Sequence, residues 1–148
     1  MSQPKLQTEF ETSDVSPGFL LWQVNNRWQS KQRKALQSHG LTHVQFVLLA
    51  SLVWSPSQKS LTQKQLADYA KTDIMMTSQV LRKLEQKGLI TRTVGIADAR
   101  SMTLSATQDG VKLTNEAIAT VEAVDKEFFK SLGNDAQEFT RMMQRLSS

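Results

Sequence analysis

The chain has 148 residues, and 39% of them are hydrophobic, which is enough for one folded domain with its own core. The formal net charge is +4 and the pI is near 9.5, so an anionic partner is favoured. The absence of cysteine excludes disulfides, thiolate metal sites and thiol redox switches. No apolar run approaches the ~20 residues that span a bilayer, and the N-terminus is too polar for a signal peptide. We therefore expect a cytoplasmic protein with no membrane partner.

Residues 1–17 are polar and show no periodicity, which predicts a flexible N-terminal arm. Apolar side chains at helical spacing follow, and they predict one long helix within residues 18–40. This helix also carries a basic group that consists of Arg27, Lys31, Arg33 and Lys34. The sequence leaves two interpretations of this group open, a solvated helix face or a set of phosphate contacts.

Two helix starts carry the same capping signal. Thr42 with Gln45, and Thr62 with Gln65, have the spacing of a capping box, in which the two side chains satisfy each other's backbone N–H groups. The pattern predicts one helix from Thr42 to about Trp54 and a short helix from Thr62 to about residue 70.

The next helix, predicted at about residues 72–87, has two dissimilar faces. Its inward face comprises Thr77, Val80, Leu81 and Leu84, with Ile74 at the edge. Its outward face mixes polar, basic and apolar side chains, namely Met75, Met76, Ser78, Gln79, Arg82, Lys83 and Gln86. Thr72 or Asp73 is expected to cap the helix, and Gly88 is expected to end it. Two helices joined by so short a turn, the second with a basic outer face, predict a DNA-binding helix-turn-helix.

A β-hairpin is predicted at about residues 89–104, because β-forming segments flank the turn-rich sequence GIADARS. A hairpin in this place forms a wing. Residues 41–106 are therefore predicted to be a winged helix-turn-helix DNA-binding region, and the fold class is mainly α with a small β-hairpin wing.

Residues 107–148 are predicted to form two further helices. The first is a long amphipathic segment from Thr107 to Gly133, and the last begins at Asn134, where Gln137 completes another capping pattern. With seven acidic and five basic residues after position 104, this part is expected to point away from DNA. The apolar faces of the first helix and the last two exceed what one small lobe can bury. We therefore expect these helices to be the dimerisation region that joins two copies of the chain.

Over residues 18–147 the sequence resembles the MarR (multiple antibiotic resistance regulator) family. The run QVLRKLEQKGLITR is similar to the family's passage from recognition helix to wing, and DARSMTLSATQDG is similar to its wing-tip motif. The resemblance implies a homodimer that binds a roughly palindromic double-stranded DNA operator. It also implies a repressor that a small molecule releases.

The resemblance implies roles for individual residues as well. Met75, Ser78, Gln79 and Arg82 are placed in the major groove, where Gln79 can pair with adenine and Arg82 can bind guanine or a phosphate. Methionine departs from the small hydroxyl residues that are common there in the family. Met75 and Met76 can contact only thymine methyl groups or sugar carbons, and for Met76 packing on a neighbouring helix stays open.

The wing is expected to supply a second contact. Arg100 resembles the family's minor-groove arginine, and Asp98 is placed to hold its side chain, unless the two form only an exposed salt bridge. Because GIADARS contains one basic residue, the wing's share of the affinity is expected to be small. Other candidates for phosphate contacts are Arg92, Lys64 and Lys83.

The effector that the resemblance implies is a small aromatic acid, bound between the dimerisation helices and the DNA-binding region. The candidate pocket residues are Trp22, Trp28, His43, Phe46 and Trp54, which lie on the two helices that would line this crevice. Aromatic side chains at helical spacing also suit a hydrophobic core, so that alternative stays open.

Two other functions are compatible with the sequence: a winged-helix protein-interaction module with weak DNA binding, and a regulator that activates transcription or lacks an effector. An enzyme is not expected, because His39 and His43 have no paired nucleophile and no Gly-rich phosphate loop is present. No carboxylates cluster around these histidines in the sequence, so we expect neither a metal site nor a cofactor.

Overall fold

The computed structural model describes residues 5–55, 61–94 and 102–148. The α-helices are α1 Pro17–Leu36, α2 His43–Trp54, α3 Gln63–Ala70, α4 Ile74–Gln86, α5 Gln108–Phe129 and α6 Ala136–Ser147. The strands are β1 Leu61–Thr62, β2 Ile90–Val94 and β3 Met102–Ala106, and short 3-10 turns lie at Ser13–Val15, Gln37–His39 and Lys130–Asp135. The predicted fold class, mainly α with a small hairpin wing, is confirmed.

Side-chain caps fix the starts of α2 and α3. The hydroxyl of Thr42 accepts a hydrogen bond from the backbone N–H of Gln45 at 3.2 Å, and the side-chain oxygen of Gln45 accepts from the N–H of Thr42 at 3.1 Å. Thr62 and Gln65 make the same pair of bonds at 3.1 and 3.0 Å. Both predicted capping boxes are confirmed, because each depends only on residues three positions apart.

The sheet is one strand wider than the predicted hairpin. β2 and β3 pair antiparallel, with Ile90 opposite Ala106, and β1 adds to the other edge of β3, with Leu61 opposite Leu104. The strand order is therefore β1-β3-β2. The predicted pairing of the two hairpin strands is confirmed, whereas β1 was not predicted, since a two-residue strand is too short to show the alternation that identifies strands in a sequence.

The hydrophobic core is centred on α2. Seven of the twelve residues of this helix are buried, so nearly every side of it is covered by other elements. Leu66 of α3, Leu81 and Leu84 of α4, and Leu104 of β3 are fully buried in the same cluster. This shared core holds α3, α4 and the sheet in one fixed arrangement.

The N-terminal and C-terminal helices are less well covered. α1 packs along α5, which also contacts α2. Gln32 and Leu36 are the buried residues of α1, and α6 has no buried residue. Among the described residues, no helix is both long enough and apolar enough to cross a bilayer.

The start of α6 differs from the prediction. The helix begins at Ala136, after a 3-10 stretch in which Gly133 has a φ of 55°, and no side chain caps it. The predicted capping pattern of Asn134 with Gln137 is therefore wrong. The positive φ of Gly133 redirects the backbone just before Asn134. The helix therefore begins at Ala136 and not at Asn134.

Candidate DNA-binding surface

One face of α4 lies against the core. Thr77, Leu81 and Leu84 are buried, and Val80 is partly buried beside them, which confirms the predicted inward face. The hydroxyl of Thr77 donates to the carbonyl of Asp73 at 2.7 Å, so the polar group on this face is satisfied. The opposite face of α4 is consequently fixed toward solvent.

Both ends of α4 are tied down. The carboxylate of Asp73 caps the start, where its Oδ2 accepts from the N–H of Met76 at 2.9 Å. Just beyond the other end, the amine of Lys87 donates to the carbonyl of Gly40 at 2.9 Å and to the side chain of Gln45 at 3.3 Å. Lys87 thus connects the end of α4 to the start of α2, and hydrogen bonds fix both ends of α4.

Two residues with left-handed backbone set the chain direction around α4. Gly88 has a φ of 75° and follows the helix, as predicted. Lys71 has a φ of 58° and forms the turn between α3 and α4. The side chain of Lys71 is exposed, so this turn offers a cation that the sequence analysis did not single out.

The outer face of α4 presents a central ridge of Met75, Gln79 and Arg82. All three are exposed, and their spacing of four and three residues aligns them along one side of the helix. Lys83 is exposed on the flank of this ridge, whereas Ser78 on the other flank is half-buried. The amide and guanidinium groups are those that make paired hydrogen bonds to adenine and guanine in the major groove.

The two methionines of α4 are not equivalent. Met75 is 74% exposed and belongs to the ridge, whereas Met76 is 41% exposed. Helical geometry places Met76 about 100° around the axis from Met75, toward the side of α4 that packs on the core. Met75 is therefore free to enter a groove, and Met76 lies on the flank of this face, between the ridge and the buried side.

The candidate phosphate contacts have different surroundings. Lys64 on α3 and Lys83 on α4 are exposed. The side chain of Arg92 is only 20% exposed, and its Nε lies 3.6 Å from a carboxylate oxygen of Glu85. Because Arg92 shares the face of β2 that carries buried Ile90, it is turned toward α4 rather than outward. Asp98 and Arg100 of the wing lie outside the described residues.

A polar cluster joins α1 to α5 next to α2. The indole N–H of Trp28 donates to Oδ1 of Asp125 at 2.7 Å, and the amide of Gln32 donates to the same oxygen at 2.8 Å. The amide of Gln32 also donates to the carbonyl of Val121 at 3.1 Å. The ring of His43, at the start of α2, meets the ring of Trp28 edge-on with 4.9 Å between their centroids.

The charge state of His43 depends on this cluster. Burial lowers the pKa of His43 below its ordinary value of 6.5, the nearby Asp125 carboxylate opposes that shift, and Arg33 adds to it. The neutral imidazole is therefore the form that the folded chain favours.

The five predicted effector residues do not form one pocket within the single chain. Trp28 and His43 are in contact, but Phe46 is buried in the core and Trp22 is exposed on α1. Trp54 lines a separate cavity of about 320 Å³ between α2 and α5.

A larger groove, of about 1020 Å³, lies between α1, α5 and the C-terminal helix. Its lining includes two basic and several apolar side chains, among them Val24, Arg27, Lys31, Phe128, Phe129 and Phe139. None of these residues is among the five that the sequence predicted as effector contacts.

Sequence reasoning also missed Gln32 and Asp125. The available signal was a polar residue within an apolar stripe: Gln32 lies four residues from both Trp28 and Leu36, and Asp125 lies four residues after buried Val121. Two such interruptions on packed helices can satisfy each other, which is how this pair behaves.

The chain is similar in sequence to known transcriptional regulators. Residues 41–102 match the model of the MarR family. The chain is 45% identical to the HTH-type transcriptional regulator YdcH of Bacillus subtilis over 123 residues, which are 82% of this chain and 84% of that protein. It is 34% identical to the HTH-type transcriptional repressor Rv2887 of Mycobacterium tuberculosis over 136 residues, or 91% of this chain and 96% of the repressor.

Solved structures of Rv2887 have the same fold. Its complex with DNA matches with a TM-score of 0.72 and 32% identity, over 91% of this chain and 100% of that one. Its complex with salicylic acid matches with a TM-score of 0.71 and 34% identity, over 91% and 99% of the two chains. The family model, these relatives and the shared fold together show that the chain belongs to the MarR family of transcriptional regulators.

Proposed function

We propose that the chain is a homodimeric repressor, rather than an enzyme, that binds a pseudo-palindromic operator through α4 and leaves it when a small aromatic acid binds. The observation that carries this proposal is the outer face of α4. There Gln79 and Arg82 stand exposed on a helix that is buried on its other side and tied at both ends. A helix that is held in place before binding loses little backbone freedom when it enters a DNA groove. The complex of Rv2887 with DNA supports the proposal.

Dimerisation is proposed from the apolar surface of α1 and α6. Leu21 and Trp22 are 66% and 67% exposed on α1, and Leu146 is 81% exposed on α6. Large apolar side chains that one chain leaves in solvent are typical of an interface. A two-fold axis through these helices would relate the α4 helices of the two chains. We expect the two α4 helices to lie about 34 Å apart, which is one turn of the DNA helix.

Around the major-groove contacts, we propose that Lys64 and Lys83 bind phosphates and that Arg100 of the wing enters the minor groove. For Arg92 the proposal requires the guanidinium to exchange its ion pair with Glu85 for a phosphate. Its Nε and Nη2 are buried and have no hydrogen-bond partner among the described residues, so the guanidinium would also have to turn outward to reach a phosphate.

The effector is proposed to act where α1, α2 and α5 meet, beside Trp28 and His43. This junction joins the dimerisation helices to the DNA-binding region, so a ligand there can fix the separation of the two α4 helices at a value that no longer matches successive grooves. The complex of Rv2887 with salicylic acid supports an aromatic acid as the ligand class.

The test begins with selection of bound duplexes from a random pool, followed by fluorescence anisotropy on the selected sequence. We expect tight, strongly salt-dependent binding by the wild type. We expect Arg82→Glu and Arg100→Glu to weaken it about tenfold or more while the dimer stays folded. Lys126→Glu, the same charge change at an exposed position of α5, is the matched control and should retain nearly full affinity.

A wild-type chain that retrieves no duplex would instead favour a protein-interaction module. If the selected duplex binds, titration with salicylate and related aromatic acids tests the effector. Release of DNA is the expected result, and affinity unchanged at saturating acid would remove the effector from the proposal.

A further inference from the structure

The start of α4 carries an apolar tip that the contacts with phosphates and polar base edges do not explain. Met75 is 74% exposed, and beside it Ile74 is 53% exposed. The leucines farther along the same helix, Leu81 and Leu84, are fully buried. The apolar surface of α4 is therefore buried along its length and exposed at its first turn.

This tip lies at the end of the helix that comes closest to base edges. In helix-turn-helix proteins the N-terminal residues of the recognition helix contact the bases. Met75 leads the ridge that continues with Gln79 and Arg82, at a rise of about 1.5 Å per residue. The side chain of Met75 thus enters the groove ahead of the two hydrogen-bonding groups.

The chemistry of Met75 restricts what it can contact. Its thioether has no strong donor or acceptor, but it is flexible and polarisable and packs well on apolar groups. In the major groove the one apolar group that a standard base pair presents is the C5-methyl of thymine. At this turn the N–H of Met76 is bonded to the Asp73 carboxylate, so this N–H is not available to a base or phosphate.

We propose that Met75 is a specificity-determining residue that packs on a thymine C5-methyl group in each half-site of the operator. The inference rests on the proposed DNA-binding function and adds the base and the atom that are recognised. Gln79 lies about 6 Å farther along the helix axis, so the thymine should lie within about two base pairs of the adenine that Gln79 contacts. Each half-site is therefore expected to contain a thymine that Met75 contacts and, within about two base pairs of it, an adenine that Gln79 contacts.

The experiment replaces each thymine of the selected operator by deoxyuridine, one at a time, which removes the C5-methyl group and nothing else. Affinities for the thymine and uracil duplexes are measured with the wild type and with Met75→Ala. We expect one symmetric position at which the wild type binds the uracil duplex about threefold to tenfold more weakly, the effect of one lost methyl contact. Met75→Ala should bind both duplexes within about twofold of each other.

Two further variants separate the role of this side chain from general packing. Met75→Leu keeps an apolar side chain and should keep the preference for thymine, and Met76→Ala should keep it as well. Indifference of the wild type to every uracil substitution would overturn the inference, and so would a preference that survives in Met75→Ala or disappears in Met76→Ala. If duplex binding is intact in those cases, the proposed function stands without this contact. A wild type that binds no duplex overturns both.

Discussion

The DNA-binding region and the dimerisation helices differ in how much of their apolar surface is buried within one chain. Between α2 and the sheet the large aliphatic residues are buried, with Leu48, Leu66 and Leu81 fully covered. On α1 and α6 other large apolar residues lie in solvent, with Trp22 and Leu146 among the most exposed. Seven residues of α2 are buried within one chain, whereas α1 has two buried residues and α6 has none.

This difference indicates what each region needs in order to be stable. The core around α2 is complete within one chain, so its stability should not depend on protein concentration. The surface of α1 and α6 is completed by a second copy in our proposal, so its contribution should depend on concentration. The following substitutions test the contrast, in order of decreasing expected effect.

The largest effect is expected from Leu81→Ala. Removing a fully buried side chain from α4 should lower the free energy of unfolding by about 2–5 kcal/mol, because a cavity remains in the core. Urea unfolding followed by circular dichroism measures it. Leu146→Ala is the matched change on α6, and its effect should appear only as weaker association at low protein concentration. Equal, concentration-independent losses in both variants would contradict the contrast.

Gly110→Ala tests the junction between the two regions, at the start of α5. A Cβ at this position would overlap with the backbone carbonyl of Leu89, so the backbone must shift. We expect unfolding to become easier by about 1–3 kcal/mol. Gly18→Ala, where a Cβ meets nothing within 4 Å, is the control and should be neutral or slightly stabilising. A neutral Gly110→Ala would show that the junction is loose.

Helix caps provide a smaller contrast. Thr62→Ala removes the capping box of α3 and should reduce stability by about 1 kcal/mol. Asn134→Ala removes the residue that the sequence suggested as a cap for α6, and thermal unfolding should not register it, because no side chain caps that helix. If Asn134→Ala lowered the stability as much as Thr62→Ala, Asn134 would have to cap α6 as the sequence predicted.

The smallest effect is expected from His43, where α2 meets α1. Because burial lowers the pKa of His43 in the folded chain, the unfolded chain takes up the proton first as the pH falls below 6.5. The free energy of unfolding should therefore decrease as the pH falls from about 6.5 through the lowered pKa of the folded chain. His43→Gln should flatten this decrease in urea titrations at a series of pH values. Parallel curves for the two proteins would exclude His43 as its source.

The two regions also differ in how far sequence predicts them. The capping boxes at Thr42 and Thr62 and the two faces of α4 were predicted because each depends on residues within a few positions of each other. The link from Trp28 to Asp125 spans 97 residues, and no local pattern encodes such a contact. The same limit applies to β1 within the DNA-binding region, because Leu61 pairs with Leu104, which is far along the chain.

The candidate site was only partly accessible to prediction for the same reason. The outward position of Gln79 and Arg82 follows from helical periodicity. The ion pair between Arg92 and Glu85 does not, because it requires the register of the hairpin against α4. An effector pocket depends on how α1, α2 and α5 pack, so a list of aromatic residues could not locate it.

The most direct test of the separation between the two regions is sedimentation velocity of the chain with and without a labelled operator duplex. It is applied to the wild type, to Arg82→Glu and to Leu21→Glu, which places a charge on the exposed apolar face of α1. We expect the wild type to sediment as a dimer that shifts to a heavier complex with the duplex. Arg82→Glu should stay dimeric without that shift, and Leu21→Glu should sediment as a folded monomer with weakened binding. A Leu21→Glu protein that remains a dimer, or an Arg82→Glu protein that binds the duplex like the wild type, would contradict the account.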